Sequence, residues 1–310
     1  LSALINITDY PIKDALHLLL RDKTTGKNII WATDAYSSNG YEFSDKSQIT
    51  TDTLLGMNAI DLQPRIEKAL EEQQERTRKK AEVFTPVWLC NKMNNYCDEQ
   101  WFGRKEVFNK EMDDHQWEVV EVPIEFPQKK TWKGYVDSRR LEITCGEAPY
   151  LVSRYDAATG DLILPPMRRI GILDRKLRIV NENTDTREDW LKWAIRAFQS
   201  CYGYEYQGDS LLIARINLLM TFCDYYEERW KIQADRKLLN KIANIISWNI
   251  WQMDGLKDTV PLGKPHEEYH QISMFEMLEE TVPEETALPC KIKNWRSNEP
   301  VIYKDLKRGK

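Results

Sequence analysis

No stretch of this 310-residue chain stays apolar for the roughly 20 positions a bilayer span requires, and its first residues lack the charged-then-apolar pattern of an export signal. A membrane-spanning apolar helix is not expected on that ground, and a cytoplasmic setting is. There is no C-x-x-C, and the six cysteines (Cys90, Cys97, Cys145, Cys201, Cys223, Cys290) are scattered, which argues against a zinc ribbon and against a disulfide framework. Histidine is scarce, with 4 in all. His266 and His270 are spaced like metal ligands, but with no further ligand nearby they read as exposed or structural. Glycine and proline, at 13 each, are too few for a disordered or fibrous chain. Positive charge is not in excess either: 44 Lys and Arg against 49 Asp and Glu leave a net charge of −5. Nonspecific nucleic-acid affinity comes mainly from Lys and Arg neutralising phosphates, so this chain alone is a poor DNA binder. Any action on DNA needs a local basic surface or a second subunit to hold the duplex.

What is present is an ordinary globular composition, 42% hydrophobic and 30% charged, with 11 Trp and 14 Tyr to fill a core. The length suits one large α/β domain with extensions, or two modest domains. Leu16–Leu20 and Ile29–Trp31 flank a turn-forming Thr24-Thr25-Gly26-Lys27 and read as a hairpin. Pro64–Lys80 reads as a charged helix whose basic end, Arg76, Arg78, Lys79 and Lys80, forms a solvated face. An extended Val83-Phe84-Thr85-Pro86 then leads into an apolar stripe (Val87, Leu89, Cys90, Met93, Tyr96) at helical spacing, with Pro86 near the first turn. Residues 101–135 are loop-rich.

Leu141–Ala148 reads as a short strand entering a tight turn, followed by an apolar helix start at Tyr150-Leu151-Val152. Residues 155–185 look like an insertion rather than core. A helix is predicted over Arg187–Ser200, then a second strand, Cys201–Glu205, ending in an acid, with Asp209 placed to cap a helix to Trp230. A helix near Leu238–Ala243 leads to a third strand, Ile245–Trp251, which finishes at Gln252-Met253-Asp254-Gly255. Residues 265–289 hold seven Glu, three Pro and no Lys or Arg, an acidic linker; the last twenty carry seven Lys or Arg against two acids.

Three of these segments together resemble the amino-methylating DNA methyltransferases, which move a methyl from S-adenosylmethionine to the exocyclic nitrogen of adenine. Phe84-Thr85-Pro86 resembles the family's motif beside the cofactor's methionine end. Leu141–Leu151 resembles its strand and glycine turn, with Glu142 as the acid, Thr144-Cys145-Gly146 as the turn, and Ala148 where glycine is usual. A Cβ there costs roughly 1 kcal/mol or more if φ is positive. Tyr202–Glu205 and the following helix are similar to the ribose-binding acid and its helix, which implies that Glu205, with Tyr206 beside it, holds the ribose. A carboxylate suits that task because it accepts two hydrogen bonds while charged. Glu205 lies far beyond the usual spacing of about 20 residues, so 155–198 is expected to loop out. Asp254 resembles the acceptor for the cofactor's adenine amine. Taken singly, Glu205 and Asp254 read as solvated acids at helix starts, Gly146 as a turn residue, and Phe84 as core.

The family's catalytic motif, Asn or Asp followed by Pro-Pro and an aromatic residue, is absent; Asn294-Trp295 has the amide and the ring without the prolines. The resemblance thus implies an α/β chain carrying an incomplete Rossmann-like, class I S-adenosylmethionine-dependent methyltransferase sheet. An N-terminal α+β extension (1–80) would precede the cofactor domain (81–256), and an acidic linker with a basic tail (257–310) would follow. The first strand is expected to be an unpaired edge. A partner chain would supply the remaining sheet, the catalytic motif and recognition of double-stranded DNA. Two other readings stand beside it: a non-catalytic cofactor-sensing or scaffolding subunit of a restriction system, and a subunit of an RNA or protein methyltransferase.

Overall fold

The computed structural model describes residues 4–80, 85–263 and 287–307. Phe84, His266, His270 and nearly all of the acidic segment lie outside the described residues. The protein is mixed α/β. In chain order come α1 (Ile12–Leu19), α2 (Thr51–Leu55), α3 (Leu70–Lys80), α4 (Val87–Phe102), β1 (Asn109–Glu111), β2 (Trp117–Val119), α5 (Trp132–Asp137) and β3 (Arg140–Glu142). There follow α6 (Ile172–Asn183), α7 (Arg187–Gln199), β4 (Cys201–Glu205), α8 (Gly208–Trp230), α9 (Arg236–Asn249) and β5 (Ile250–Gln252). The chain closes with β6 (Lys291–Asn294), β7 (Glu299–Ile302) and α10 (Tyr303–Lys307). No helix among the described residues is long and apolar enough to cross a membrane.

The centre is a three-stranded parallel sheet in the order β3-β4-β5, with Arg140 opposite Cys201 and Gly203 opposite Ile250. Each crossover is a pair of helices, α6–α7 and then α8–α9. Alternation along the strands divides the sheet into two faces. Cys201 and Ile250 join the main core with α6 to α9, whereas Tyr202, Tyr204 and Trp251 face a second cluster with Met253, Cys290 and Ile292. The C-terminal hairpin of β6 and β7 therefore covers a face that helices cover in a doubly wound sheet. Among the described residues nothing pairs with the outer edge of β3, beside which Leu141 and Ile143 are exposed.

Several sequence expectations are corrected here. Leu16–Leu20 is not a strand: Ile12, Ala15, Leu16 and Leu19 recur at helical spacing and bury one face of α1 against α8 and α9. The Thr24–Lys27 turn does form, held by Asp22, whose carboxylate accepts from the Thr24 and Thr25 backbone nitrogens, and closed by an Arg21–Asn28 bridge. Ile245–Asn249 stays helical because Ile242, Ile245, Ile246 and Asn249 continue the buried face of α9, leaving only Ile250–Gln252 as strand.

Residues 155–185 are not an insertion, nor does 155–198 loop out. They contain α6, whose Leu173, Leu177 and Val180 are fully buried, and most of α7. The charged residues that suggested solvent have buried partners: Arg175 bonds Asp98 at 2.5 Å, and Lys176 donates to the Ser138 carbonyl and the Ser200 hydroxyl. Asp209 is not a helix cap, and Arg76 is not part of a solvated face. Asp209 is fully buried in the first turn of α8, where it accepts from Arg76 (2.6 Å), Tyr36 (2.8 Å) and Lys68 (3.4 Å). Burial alone would raise its pKa, but Lys68 and Arg76 outweigh that and hold it at about 2.

Those ion pairs fasten α3 and the Tyr36 segment to the sheet's helices. A second fastening is made by Gln252, whose side chain accepts from the Ile30 nitrogen (2.9 Å) and donates to the Ile30 carbonyl (2.8 Å). The Gly208 nitrogen donates to the Trp31 carbonyl, and a Cβ on Gly208 would lie 2.0 Å from the Ile30 oxygen, so only glycine admits this approach. One core thus runs from Ile5 through Trp31 to α8 and α9.

Candidate functional site

The carboxyl ends of β3 and β4 open onto a cavity of about 1170 Å³. The turn after β3 (Ile143–Glu147) makes one wall and Glu205-Tyr206-Gln207 with Ser210 another. Ala32–Asp34 with Asp45 makes a third, and Met93, Asn94 and Cys97 of α4 with Thr85 the last. This is where ligands enter parallel α/β sheets, because the strand ends leave a crevice of free backbone groups between helices.

The turn after β3 folds back on itself by placing non-glycine residues in left-handed backbone. Thr144 has φ 46°, Gly146 φ 53° and Ala148 φ 65°. Gly146 takes this conformation without penalty. Ala148 does not: its Cβ is strained at positive φ, and the residue is fully buried. The Ala148 nitrogen donates to the Cys145 carbonyl at 2.7 Å, and the Ala148 carbonyl in turn accepts from Leu151 and Val152, so the strained residue closes the loop.

Two buried carboxylates flank the turn. Glu142 accepts from the backbone nitrogens of Tyr150 (3.3 Å) and Leu151 (3.1 Å); burial pushes its pKa up to about 8, against the pull of those two donors, and the charge of Glu205 adds to the rise. Glu205 accepts from the Gly146 nitrogen at 2.9 Å through Oε2 and from the Gln207 nitrogen at 3.1 Å through Oε1. Burial raises its pKa as well, opposed by these backbone donors. A carboxylate has about four lone-pair positions, and the backbone nitrogens of Gly146, Gln207 and Tyr206 all act on Glu205, which leaves room for a single further donor. The Cys145 thiol, also at the wall, is pushed well up by burial and by the two glutamates, so it is no nucleophile near neutral pH.

Of the residues expected to bind cofactor, Thr85, Glu142, Thr144, Cys145, Gly146, Glu205 and Tyr206 are brought together around this cavity. Ala148 lies beneath the turn rather than at the surface of the cavity. Pro86 begins α4 and faces a smaller concavity with Arg65 and Ile66. Phe84 is outside the described residues. Asp254 does not line the cavity. Its carboxylate accepts from the backbone nitrogens of Leu256 (3.0 Å) and Lys257 (3.2 Å), shaping its own turn, and its charge reaches Tyr206, whose hydroxyl pKa is raised by burial and by Asp254. Asn294 and Trp295 are likewise not at the cavity: Trp295 donates to Asn249 Oδ1 at 2.7 Å, and Asn294 accepts from the Arg296 nitrogen.

The wall made by Ala32, Thr33, Asp34 and Asp45 was not legible in the sequence; positive φ at Ala32 is its only local peculiarity, and nothing in the residue type announces it. Gln207 and Ser210 were also missed, although a polar pair flanking the start of a buried helix was a signal available to be read. Among the described residues no group of His, Cys, Asp and Glu could hold a metal ion. The cavity can therefore offer hydrogen-bond acceptors and a glycine-lined backbone to a ligand rich in donors. No family model, no curated protein and no solved structure matches this chain.

Proposed function

We infer that the chain is the S-adenosylmethionine-binding subunit of a two-chain DNA adenine-N6 methyltransferase of a restriction–modification or related system. The observation that carries this reading is the meeting of two strand-end turns across one cavity, tied by the bond from Gly146 to Glu205. A ribose hydroxyl placed there would donate to the lone pair left on Glu205, while the open backbone at Gly146 lets the nucleoside lie close. The parallel order β3-β4-β5 and the family likeness of Leu141–Leu151 and Tyr202–Glu205 support an incomplete class I methyltransferase sheet.

The cofactor supplies the methyl group; this chain's own residues bind and orient it. Thr85, at the cavity wall, would border its methionine end. These 310 residues carry no Asn or Asp before Pro-Pro and have a net charge of −5; in this reading a partner chain supplies the groups that grip the adenine base and the hold on double-stranded DNA. The edge of β3 that pairs with nothing among the described residues, with Leu141 and Ile143 exposed beside it, is the kind of surface on which further strands add.

Calorimetry of the purified chain with S-adenosylmethionine tests the reading. One molecule bound per chain is expected, with methylation of adenine in duplex DNA only after the copurifying partner is added. Absence of cofactor binding at millimolar concentration, or methyl transfer by the chain in isolation, overturns it.

A further inference from the structure

The basic run near the end of the chain has a place in the fold that the cavity does not use. Alternation along β6 turns Lys291 and Lys293 away from the buried Ile292. The strand lies beside the Asp22 turn, where the Lys291 nitrogen donates to the Thr24 hydroxyl, and beside α9. There the Nζ of Lys293 stands 5.7 Å from the centroid of the Trp248 ring and 5.0 Å from that of Trp295, and the Nζ of Lys23 stands 5.8 Å from the same Trp248 ring. Both indoles are half-buried. Among the described residues neither lysine has a carboxylate partner; Lys23 donates instead to Asn244 Oδ1 at 2.9 Å. Its pKa is lowered by burial and then by the charges of Arg215, Arg21 and Lys293, while Asp22, tied to its own turn, acts more weakly in the opposite direction. The outer face of α9 extends this positive surface: Lys237, Lys241, Asn244 and Trp248 recur at helical spacing, and the helix contains no acid. Cations crowded without acids repel one another, so the arrangement costs the free protein stability, and an arriving anion relieves that cost.

We propose that this face, where Lys23 and Lys293 flank Trp248 and Trp295, binds a single-stranded nucleic acid, with the lysines on phosphates and the indoles against bases. The interleaving of rings and cations selects that partner. An acidic protein segment would satisfy the lysines and leave the indoles uncovered, and a duplex presents phosphates but keeps the faces of its bases stacked inside. A single strand offers both at once, because every base has a face that stacks on an aromatic ring, whatever the sequence. Lys241 and Lys291, exposed on either side of the pair, lengthen the track for its backbone. Trp248 lies just before β5, at the amino end of the strand, so this face is at the opposite end of the sheet from the cavity. The proposal therefore stands apart from the cofactor reading: it gives the chain a nucleic-acid contact of its own, in spite of the net charge of −5.

The test follows the fluorescence anisotropy of a labelled oligothymidine of about 12 nucleotides titrated with the full chain. Affinity is expected to fall about 20- to 50-fold between about 50 and 200 mM salt, the mark of about three or four phosphate contacts on a single strand. The double variant Lys23→Gln, Lys293→Gln should bind more weakly and reduce that fall to about three- to sevenfold. Trp248→Leu should weaken binding about tenfold with the salt dependence unchanged, and Trp248→Phe, which keeps a ring, should lose less than about threefold. A duplex of the same length should compete about tenfold less well than the single strand. Absence of binding at low salt, or an unchanged salt dependence in the lysine variant, overturns the proposal. So does a duplex that competes as well as the single strand, since the rings then contribute nothing, and so does polyglutamate that displaces the strand at equal charge, since the face then suits an acidic protein. Should Trp248→Leu fail to fold, the lysine variant decides alone. All these variants should keep their affinity for S-adenosylmethionine within about twofold, since the cavity is distant; a chain that binds the strand and not that cofactor upholds this proposal while removing the methyl-donor reading.

Discussion

The Oε2 of Glu205 stands 2.9 Å from the backbone nitrogen of Gly146, so the acid that ends the middle strand of the sheet is hydrogen-bonded to the turn that ends its outer neighbour. One side chain thus does two things. It fixes the distance between two strand tips, and it lines the cavity they enclose.

Removing that carboxylate should be felt at both levels. Glu205→Ala is expected to weaken S-adenosylmethionine binding by about 1–3 kcal/mol. Asp254→Ala removes the turn bonds to Leu256 and Lys257, the exposed ion pair with the Lys257 side chain and the charge that acts on Tyr206, so affinity should change less than about threefold while stability falls by about 1 kcal/mol. Calorimetry and urea titration on the two variants separate the roles; equal losses of affinity would place Asp254 back in the binding site.

Stability should depend on pH through Glu142. Its pKa in the folded chain is about 8 against an unfolded value near 4.5, so between these pH values the folded state holds more protons than the unfolded one. Stability therefore falls as pH rises from about 5 to about 8. Glu205 and Asp174, the latter raised to about 6 by burial, act in the same direction. Urea midpoints measured across this range should decline in the native protein and decline less in Glu142→Gln. A flat native profile would show that Glu142 is ionised throughout.

Asp209 behaves in the opposite sense. Held at about 2 by Lys68 and Arg76, it contributes stability that is present above its unfolded pKa near 3.8 and lost as pH falls toward 2. Asp209→Ala removes the buried carboxylate from Lys68 and Arg76, which keep longer contacts of 3.7 and 4.0 Å to the exposed Glu72, and should destabilise the fold by about 3 kcal/mol. Loss of under 1 kcal/mol, read from urea unfolding at neutral pH, would mean that the cluster is hydrated rather than buried.

Ala148 offers a measurement of backbone strain. An L-residue in left-handed backbone costs about 1–2 kcal/mol, which offsets the extra unfolded-state entropy of glycine and the lost methyl burial, together of similar size. Ala148→Gly should therefore change stability by less than about 0.5 kcal/mol, whereas Ala214→Gly, equally buried but in the middle of α8, should cost about 2 kcal/mol. Matching losses at the two positions would show that residue 148 relaxes to negative φ in solution.

The strand-end turns could be read from the sequence because the signals are local: an alternating apolar run, then Gly146, or an acid such as Glu205 at the end of a short strand. The buried charges could not. Arg76 and Asp209 are 133 positions apart, and a lysine or arginine on a helix has the same periodicity whether its partner is water or a distant carboxylate. For the same reason α6 read as an insertion, since Asp174, Arg175, Lys176 and Arg178 made a core helix look solvated. The strand expected at Ile245–Trp251 failed differently. A short apolar run fits a helix and a strand equally well, and only the packing of α9 on α1 and α8 decides between them.

The pairing of Gln252 with Ile30 has a further consequence for how the pocket depends on the polypeptide as a whole. The third parallel strand does not line the cavity through its own tip; it anchors a distant stretch of chain whose next residues, Ala32 to Asp34, form one bank. Proteolytic trimming past Asp45 would thus unroof the pocket and strip α1 from the core, although all three parallel strands lie downstream of the cut. Ligand added before the protease should slow the cut, which makes the front of the chain a reporter of occupancy at a site whose sequence signals all lie far downstream.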